Sequence, residues 1–493
     1  MEMGFFSLLL FLLISLNFSR NGVLCFPEKK LLNLKDNNFQ WKQSNIVGGA
    51  SNCVSSHNSK SVNGATILEM KHRDHCSNKM IDWNKKLKRR LVVDDLHVKS
   101  LQSQFKTRTN INVENHKSTT QIPIISGIKL EILNYIVTIE LGGKNMTVIV
   151  DTGSDLTWVQ CQPCKLCYNQ KDPLFNPSSS HSYHSILCNS TTCRALQSAT
   201  GNSVIDLTIV NVDTRNRLAL AATTWLAMAM DHTQVAKLVA ALAVNGFVFG
   251  CGRNNKGLFG GASGLMGLGR SDLSLISQTD SLFKGVFSYC LPSSTEPNAS
   301  GSLVMGFDSS TYKNSTPILF TKMVQNPQLP TFYFLNMTGI SVGGVALSLS
   351  NSSSNNSFGK GGILIDSGTV ITRLAPSVYK VVKEEFVKQF SGFPSAPGFS
   401  ILDTCFNLSG YDQINLPTLK MQFDGNAAEL SIDVTGVLYM VKTDASQICL
   451  ALASLAYEEE IGIIGNYQQK NQRVIYDTKG SKLGFAEEIC SFN

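Results

Sequence analysis

Apolar and polar positions change their rhythm near residue 133 of this 493-residue chain. Upstream, residues 26 to 120 lack a sustained core pattern, apart from an apolar stretch over 65–70 and a helical repeat over 83–105. Downstream, short apolar runs alternate with Gly, Asn and Ser, which predicts an all-β fold. Residues 135–141 and 146–151 read as strands joined by a turn at Gly142, Gly143, Lys144 and Asn145. Helices are predicted at 273–278 and at 377–390, the second following Pro376 as a helix start should. Residues 163–185 read as loop, and the Ser- and Asn-rich run 348–357 as a low-complexity surface loop.

Two of the apolar runs end alike. Val148-Ile149-Val150-Asp151-Thr152-Gly153-Ser154 and Ile363-Leu364-Ile365-Asp366-Ser367-Gly368-Thr369 each carry a strand-forming lead-in to Asp-Thr/Ser-Gly. Glycine permits a tight turn there, and the flanking hydroxyls can hydrogen-bond a carboxylate. One such tripeptide is ordinary turn chemistry. Two with matching lead-ins, 366 − 151 = 215 residues apart, predict two loops that meet across a pseudo-twofold axis. Two carboxylates about 3 Å apart cannot both ionise, so one pKa rises, the other falls, and the pair shares a proton. Aspartic proteases are the standard example of such a pair. It can deprotonate a water for attack on a peptide carbonyl and protonate the departing amide nitrogen, with no metal, cofactor or covalent intermediate.

With these motifs the chain resembles the pepsin-like aspartic proteases, and more closely the plant nepenthesin-like branch that includes the chloroplast nucleoid protease type. The resemblance covers nearly all of residues 60 to 493. It rests on the run from Asp151 through Trp158-Val159-Gln160-Cys161, on Phe249-Gly250-Cys251-Gly252, on Gly264-Leu265-Met266-Gly267-Leu268-Gly269, and on Ile463-Ile464-Gly465-Asn466. It implies a bilobal fold of two β-barrel-like lobes with the active site in the cleft between them. Asp151 and Asp366 would be the catalytic pair, supported by Thr152, Gly153, Ser154, Ser367, Gly368 and Thr369. Thr152 and Ser367 would bond across to the opposite loop, and Ser154 and Thr369 would bind the outer carboxylate oxygens. Leu265-Met266-Gly267 and Ile463-Ile464-Gly465 would thread behind the two loops. Trp158 would support the substrate-covering hairpin, the flap, through its tyrosine; without the motif, a core aromatic beside a strand is the simpler reading.

The implied organisation is a signal peptide over 1–25, a prosegment over 26–120, an N-terminal lobe over 121–325 and a C-terminal lobe over 326–493. The apolar run 5–16, followed by polar residues 17–21, fits a secretory signal better than a membrane span, although positive charge is lacking before it. The net charge of +7 sits in the leader and prosegment. Residues 1–120 hold 18 Lys/Arg against 9 Asp/Glu, which leaves 43 − 18 = 25 against 36 − 9 = 27, or −2, for the remainder. The excess peaks at Lys85-Lys86-Leu87-Lys88-Arg89-Arg90. A cationic prosegment can lie over an acidic cleft and leave when carboxylates protonate, making it an intramolecular inhibitor. A solvated basic helix or a processing site is the competing reading. Nucleic-acid binding is disfavoured, because the patch has no interleaved aromatics and would be lost on maturation.

Ten of the 13 cysteines lie from Cys161 onward, which predicts an oxidising compartment and several disulfides. The resemblance assigns Cys161, Cys164, Cys167, Cys188 and Cys193 to a cysteine-rich insert and makes Cys405 and Cys449 a pair. Cys251, Cys290 and Cys490 are left to be paired. A zinc site at the insert is disfavoured, since no histidine or fourth cysteine has the spacing. Sequons such as Asn145 and Asn407 suit glycosylation on a secretory route to apoplast or vacuole, with the chloroplast as the alternative. The chain is expected to be monomeric, with protein and peptide substrates.

One segment departs from the family. Residues 203–244 contain no Tyr, Gly or Cys where a Tyr-Gly-Asp-Gly-Ser-like flap belongs, and 218–244 is alanine-rich with helical propensity. Asp231, His232, Gln234 and Lys237 argue against a membrane span there. Codons for Leu226 to Lys237, read in a shifted frame, can spell Gly-Tyr-Gly-Asp-Gly-Ser-Tyr-Thr-Ser-Gly-Glu. A frame slip near 203 that returns near 245 would therefore restore the flap; an alternative exon or a diverged lobe are the rivals. The predicted function is acid endopeptidase, and the alternative is a catalytically impaired binding or inhibitor protein of the same fold.

Overall fold

The computed structural model describes residues 28–34, 59–62, 65–72, 83–109, 135–186, 228–229, 233–239, 242–255, 259, 261–293, 300–307, 312, 315–327, 329–347, 363–425 and 428–492. The expected signal peptide, the loop 348–357, Cys188 and Cys193 lie outside them. No described helix is long and apolar enough to cross a membrane.

The fold is all-β and two-lobed, and each lobe is built around one of the Asp-Thr/Ser-Gly loops. In the first, strands Tyr135–Leu141 and Lys144–Asp151 pair antiparallel through Gly142 and Gly143, whose φ values of 53° and 81° favour glycine. Strand Gly264–Gly267 lies parallel to Lys144–Asp151, placing Gly267 opposite Asp151, and antiparallel to Trp158–Gln160. In the second lobe, Ile363–Ile365 lies parallel to Gly462–Ile464, and Arg373 of strand Thr372–Leu374 stands opposite Ile463.

Beneath the two loops six strands run antiparallel as one stretch of a larger sheet. Their order is Ala65–His72, Ser300–Met305, Val286–Cys290, Gln472–Asp477, Lys482–Glu487 and Leu319–Val324. Both lobes contribute to one apolar core that passes through this sheet, with Val150 and Met266 from one side, Ile365 and Leu438 from the other, and Phe287 and Tyr476 between them. Disulfides Cys161–Cys251, Cys164–Cys167, Cys290–Cys490 and Cys405–Cys449 fasten the two lobes and the C-terminal tail.

The described residues upstream of 120 are docked on this body. Strand Lys29–Asn33 pairs antiparallel with Gln413–Pro417, and Ala65–His72 lies in the central sheet between Ser300–Met305 on one side and Ser59–Val62 and Tyr135–Leu141 on the other. The helix predicted over 83–105 runs Trp83–Thr109. Its Leu87 and Leu91 pack with Val370, Ile371 and Tyr439, and its Val98, Leu101 and Phe105 with Leu329, Phe332, Phe334, Ile461 and Ile463. Spacings of three, four and seven place these five residues on one face, which explains how so polar a sequence forms a docked helix.

The alanine-rich segment is strand where it is described. Thr233–Val239 pairs with Leu242–Val248, and Lys237 stands opposite Glu140 of the first lobe. Alanine's helical preference is worth only a few tenths of a kcal/mol per residue, and the open edge of Tyr135–Leu141 offers ladder hydrogen bonds that outweigh it. The helices predicted near 273 and 377 are Leu275–Gln278, capped by Ser274 Oγ, and Pro376–Gln389.

Candidate active site

Asp151 and Asp366 end their strands and turn their carboxylates toward each other, and both are fully buried. Each is held by the same donors. Gly153 N–H donates to Asp151 Oδ1 at 2.9 Å and Ser154 Oγ to Oδ2 at 2.7 Å. Gly368 N–H donates to Asp366 Oδ1 at 2.8 Å and Thr369 Oγ1 to Oδ2 at 2.6 Å. A Cβ at Gly153 would come within 2.8 Å of Asp366 Oδ1, and one at Gly368 would overlap Asp151 Oδ1. The Oδ1 atoms are therefore the inner pair and the Oδ2 atoms the outer pair.

The loops are also tied to each other. Thr152 N–H donates to Ser367 Oγ at 3.1 Å, and Ser367 N–H donates to Thr152 Oγ1 at 2.9 Å. Ser367 Oγ donates in turn to Val150 O. Behind them, Leu268 N–H donates to Asp151 O, and Asp366 N–H to Ile464 O. A Cβ at Gly267 would overlap the Asp155 backbone, and one at Gly465 the Val370 backbone. Asp155 and Val370 each stand four residues after their aspartate, so the close approach is the same in both lobes.

This duplicated geometry has its counterpart in known sequences. Residues 135–307 match the family model described as "Xylanase inhibitor N-terminal" and residues 332–487 the one described as "Xylanase inhibitor C-terminal". The aspartyl protease AED1 of Arabidopsis thaliana is 34% identical over 99% of both chains. Aspartic proteinase nepenthesin-1 of Nepenthes gracilis is 35% identical over 72% of this chain and 78% of its own. The chain belongs to the pepsin-like aspartic protease family. Among solved structures, edgp has a TM-score of 0.52 at 21% identity, covering 72% of this chain and 91% of its own. Soybean basic 7S globulin has the same TM-score at 19% identity, with 72% and 92% covered. Both show the fold that this family member shares.

Electrostatically the two aspartates are unlike. Burial, reinforced by neighbouring Asp366, pushes Asp151 up to about 7, against the pull of His97, Ser154 and Gly153. Burial also pushes Asp366 upward, but the hydrogen bond and charge of His97, with Thr369 and Gly368, outweigh it and hold Asp366 below the ordinary carboxylate range. One carboxyl is protonated while its neighbour is ionised.

His97 comes from the Trp83–Thr109 helix, and sequence reasoning missed it. Its Nε2 lies 3.2 Å from the outer oxygen Oδ2 of Asp366. Burial lowers the His97 pKa, yet Asp366, with Asp151 and Asp94 adding their charge, raises it on balance. Two more polar side chains anchor this helix. Asp94 pairs with buried Arg373 at 2.8 Å and accepts from Val370 N–H and Ile371 N–H. Gln102 makes both bonds to the backbone of Ile461, donating to its O at 2.7 Å and accepting from its N–H at 3.0 Å. Of the basic run expected to cover the cleft, Lys85 and Lys88 are exposed and Arg90 is buried. The overlooked signal was polar Asp94, His97 and Gln102 interleaved among apolar positions at helical spacing.

Trp158 is buried in the strand after the first loop, with its ring edge-on to Phe259 at 4.8 Å; Phe259 stacks on Tyr168. Under the pair lies a second group that sequence reasoning missed. Tyr476 and Tyr289 hydroxyls are 2.8 Å apart, Tyr289 donates to Gln469 Oε1, and Gln469 Nε2 donates to Ile464 O at 3.0 Å.

Proposed function

We propose that this chain is the precursor of an aspartic endopeptidase that hydrolyses peptide bonds of protein substrates at acidic pH. The supporting observation is the matched donor set around Asp151 and Asp366, which turns two inner oxygens toward one point. Ionised Asp366 takes a proton from a water held between the inner oxygens, and the hydroxide equivalent adds to the peptide carbonyl. Protonated Asp151 first donates to the carbonyl oxygen. As the tetrahedral intermediate collapses, the proton on Asp366 goes to the departing amide nitrogen and that on the diol returns to Asp151. A residue raised by burial beside one lowered by its donors supplies the acid and base together.

In this reading residues 26–120 are an inhibitory prosegment, supported by the burial of both aspartates beneath the His97 helix. Residues 121–325 and 326–493 form the two lobes of a monomeric enzyme made in the secretory pathway. The test is cleavage of a denatured protein at acid pH by the processed chain. Pepstatin-sensitive cleavage supports the reading, and its absence from folded, processed protein overturns it.

A second reading, a non-catalytic binding protein, is favoured by one observation: residues 203–244 lack the tyrosine and glycines of a flap. The family models that match are themselves described as those of a xylanase inhibitor. The nucleotide sequence across codons 195 to 250 separates the two. A shifted frame that spells a flap favours the protease, and the printed frame favours the binder.

A further inference from the structure

The carboxylate of Asp94 occupies a cradle that belongs wholly to the second lobe. Oδ1 accepts from Val370 N–H at 2.6 Å, and Oδ2 accepts from Ile371 N–H at 3.2 Å and from Arg373 Nη2 at 2.8 Å. Arg373 is fixed from behind, where Nη1 donates to Ile371 O at 2.9 Å, and its side chain is 2% exposed. A buried guanidinium without a carboxylate is strongly unfavourable. Here the carboxylate is supplied by a segment upstream of residue 120.

We propose that Arg373, with the Val370 and Ile371 amides, is a specificity site for an acidic side chain of the substrate, which takes the place of Asp94 when the helix leaves. The inference rests on the reading of residues 26–120 as a removable inhibitor. The location suits a substrate site. Val370 directly follows Thr369, which bonds Asp366 Oδ2. Asp94 and His97 stand three residues apart on one helix, an axial rise of about 4.5 Å, and His97 reaches Asp366 itself. An extended peptide advances about 3.3 Å per residue, so the cradle meets a residue about one to three positions from the scissile bond. The guanidinium and paired amides offer charge-assisted hydrogen bonds that a carboxylate satisfies and a carboxamide does not.

The experiment uses the full chain with an engineered cleavage site between residues 120 and 121, cut after folding, stripped of the released helix by gel filtration at about pH 3, and then assayed near pH 5, where a substrate Glu is ionised. Substrates are peptides derived from a site cleaved in a denatured protein, amidated at the C-terminus, with Glu, Gln or Lys placed in turn at each position around the bond. One position is expected where Glu exceeds Gln in kcat/KM by about 10- to 100-fold, the factor for hydrogen bonds to a charged group. That ratio should fall toward one in Arg373→Met and reverse toward Lys in Arg373→Glu. If neither variant folds, the Glu-to-Gln comparison on the unsubstituted chain still decides. Cleavage with Glu and Gln equivalent at every position overturns the specificity site while leaving the protease reading intact. A preference seen only with free C-terminal peptides overturns it in favour of a terminal carboxylate. No cleavage of any peptide overturns the protease reading and this inference with it.

Discussion

His97 Nε2 stands 3.2 Å from Asp366 Oδ2, a contact between residues 269 apart in the chain. The His97 pKa is raised, so its contribution is fully present below the unfolded value near 6.5 and is lost as pH rises through the folded value. The Asp366 pKa is lowered, so its contribution is present above 3.8 and lost as pH falls through the folded value. The ion pair therefore holds from that lowered value, through mild acid, up to the raised value of His97. Asp366 and Asp94 are the charges facing the imidazole across this window, and Asp151 adds its charge only as it ionises near 7. The full chain should shorten itself only as pH falls through the Asp366 value, which lies below the ordinary 3.8. His97→Gln removes a charge-assisted bond worth about 1.5–3 kcal/mol and should release the helix at higher pH. Gel analysis from pH 3 to 7 measures this, and superimposable profiles would refute the clamp.

Replacing Asp366 or Asp151 by Asn removes the acid–base chemistry while keeping the volume. Acid proteolysis should fall by at least about 10³-fold in either variant, with the thermal midpoint little changed for Asp151, whose side chain is already protonated up to about 7. In the unprocessed chain, Asp366→Asn also loses the partner of His97 and should lower the midpoint. Peptidase assays and calorimetry on the same preparations separate the two effects. Full activity in either variant would sink the assignment.

Gly465 and Gly267 are required for space rather than for turning. A Cβ on either overlaps backbone of the segment following its aspartate, and backbone has no alternative rotamer. Gly465→Ala should cost about 3 kcal/mol and move the Asp366 loop. Denaturant titration and secreted yield report the loss. A variant of unchanged midpoint would show that the loop tolerates displacement.

Much of this site was legible because its information is local. Asp-Thr-Gly and Asp-Ser-Gly carry their own turn, hydroxyl and lead-in strand, and each motif builds half of the pair. The strand Tyr135–Leu141 and the helix from Trp83 were legible from periodicity, since each has one buried face. What could not be read is register between distant elements. Nothing near His97 specifies that its helix docks with that residue over Asp366, because packing of Val98, Leu101 and Phe105 against Phe332 and Ile463 sets the position. The Cys161–Cys251 bridge likewise depends on Trp158–Gln160 lying beside Gly250–Gly252. Alanine-rich 233–239 misled for the same reason, since a neighbouring strand edge decided its conformation.

Beneath the aspartates, hydroxyl protons are aligned in one direction. Ser367 N–H donates to Thr152 Oγ1, and the Thr152 hydroxyl is bonded to Tyr476. Tyr289 donates to Gln469, so its oxygen is the acceptor for Tyr476, and Tyr476 in turn accepts from Thr152. Gln469 Nε2 closes the circuit on Ile464 O and, at 3.4 Å, on Asp366 O. Burial raises both tyrosines far above their ordinary range, so they remain protonated donors at any working pH. The circuit begins at Ser367 and ends at Asp366, and it fixes the angle of that loop without touching a substrate. Tyr476→Phe leaves the Thr152 and Tyr289 hydroxyls each short of a partner, at a cost of about 1–3 kcal/mol. As a positioning residue its loss should lower kcat about 3- to 30-fold with little change in KM, and Tyr289→Phe should do the same. A double variant that loses no more than either single one would show that the two act as a unit. If instead KM rises while kcat holds, the tyrosines support substrate binding and the circuit does not orient the aspartates.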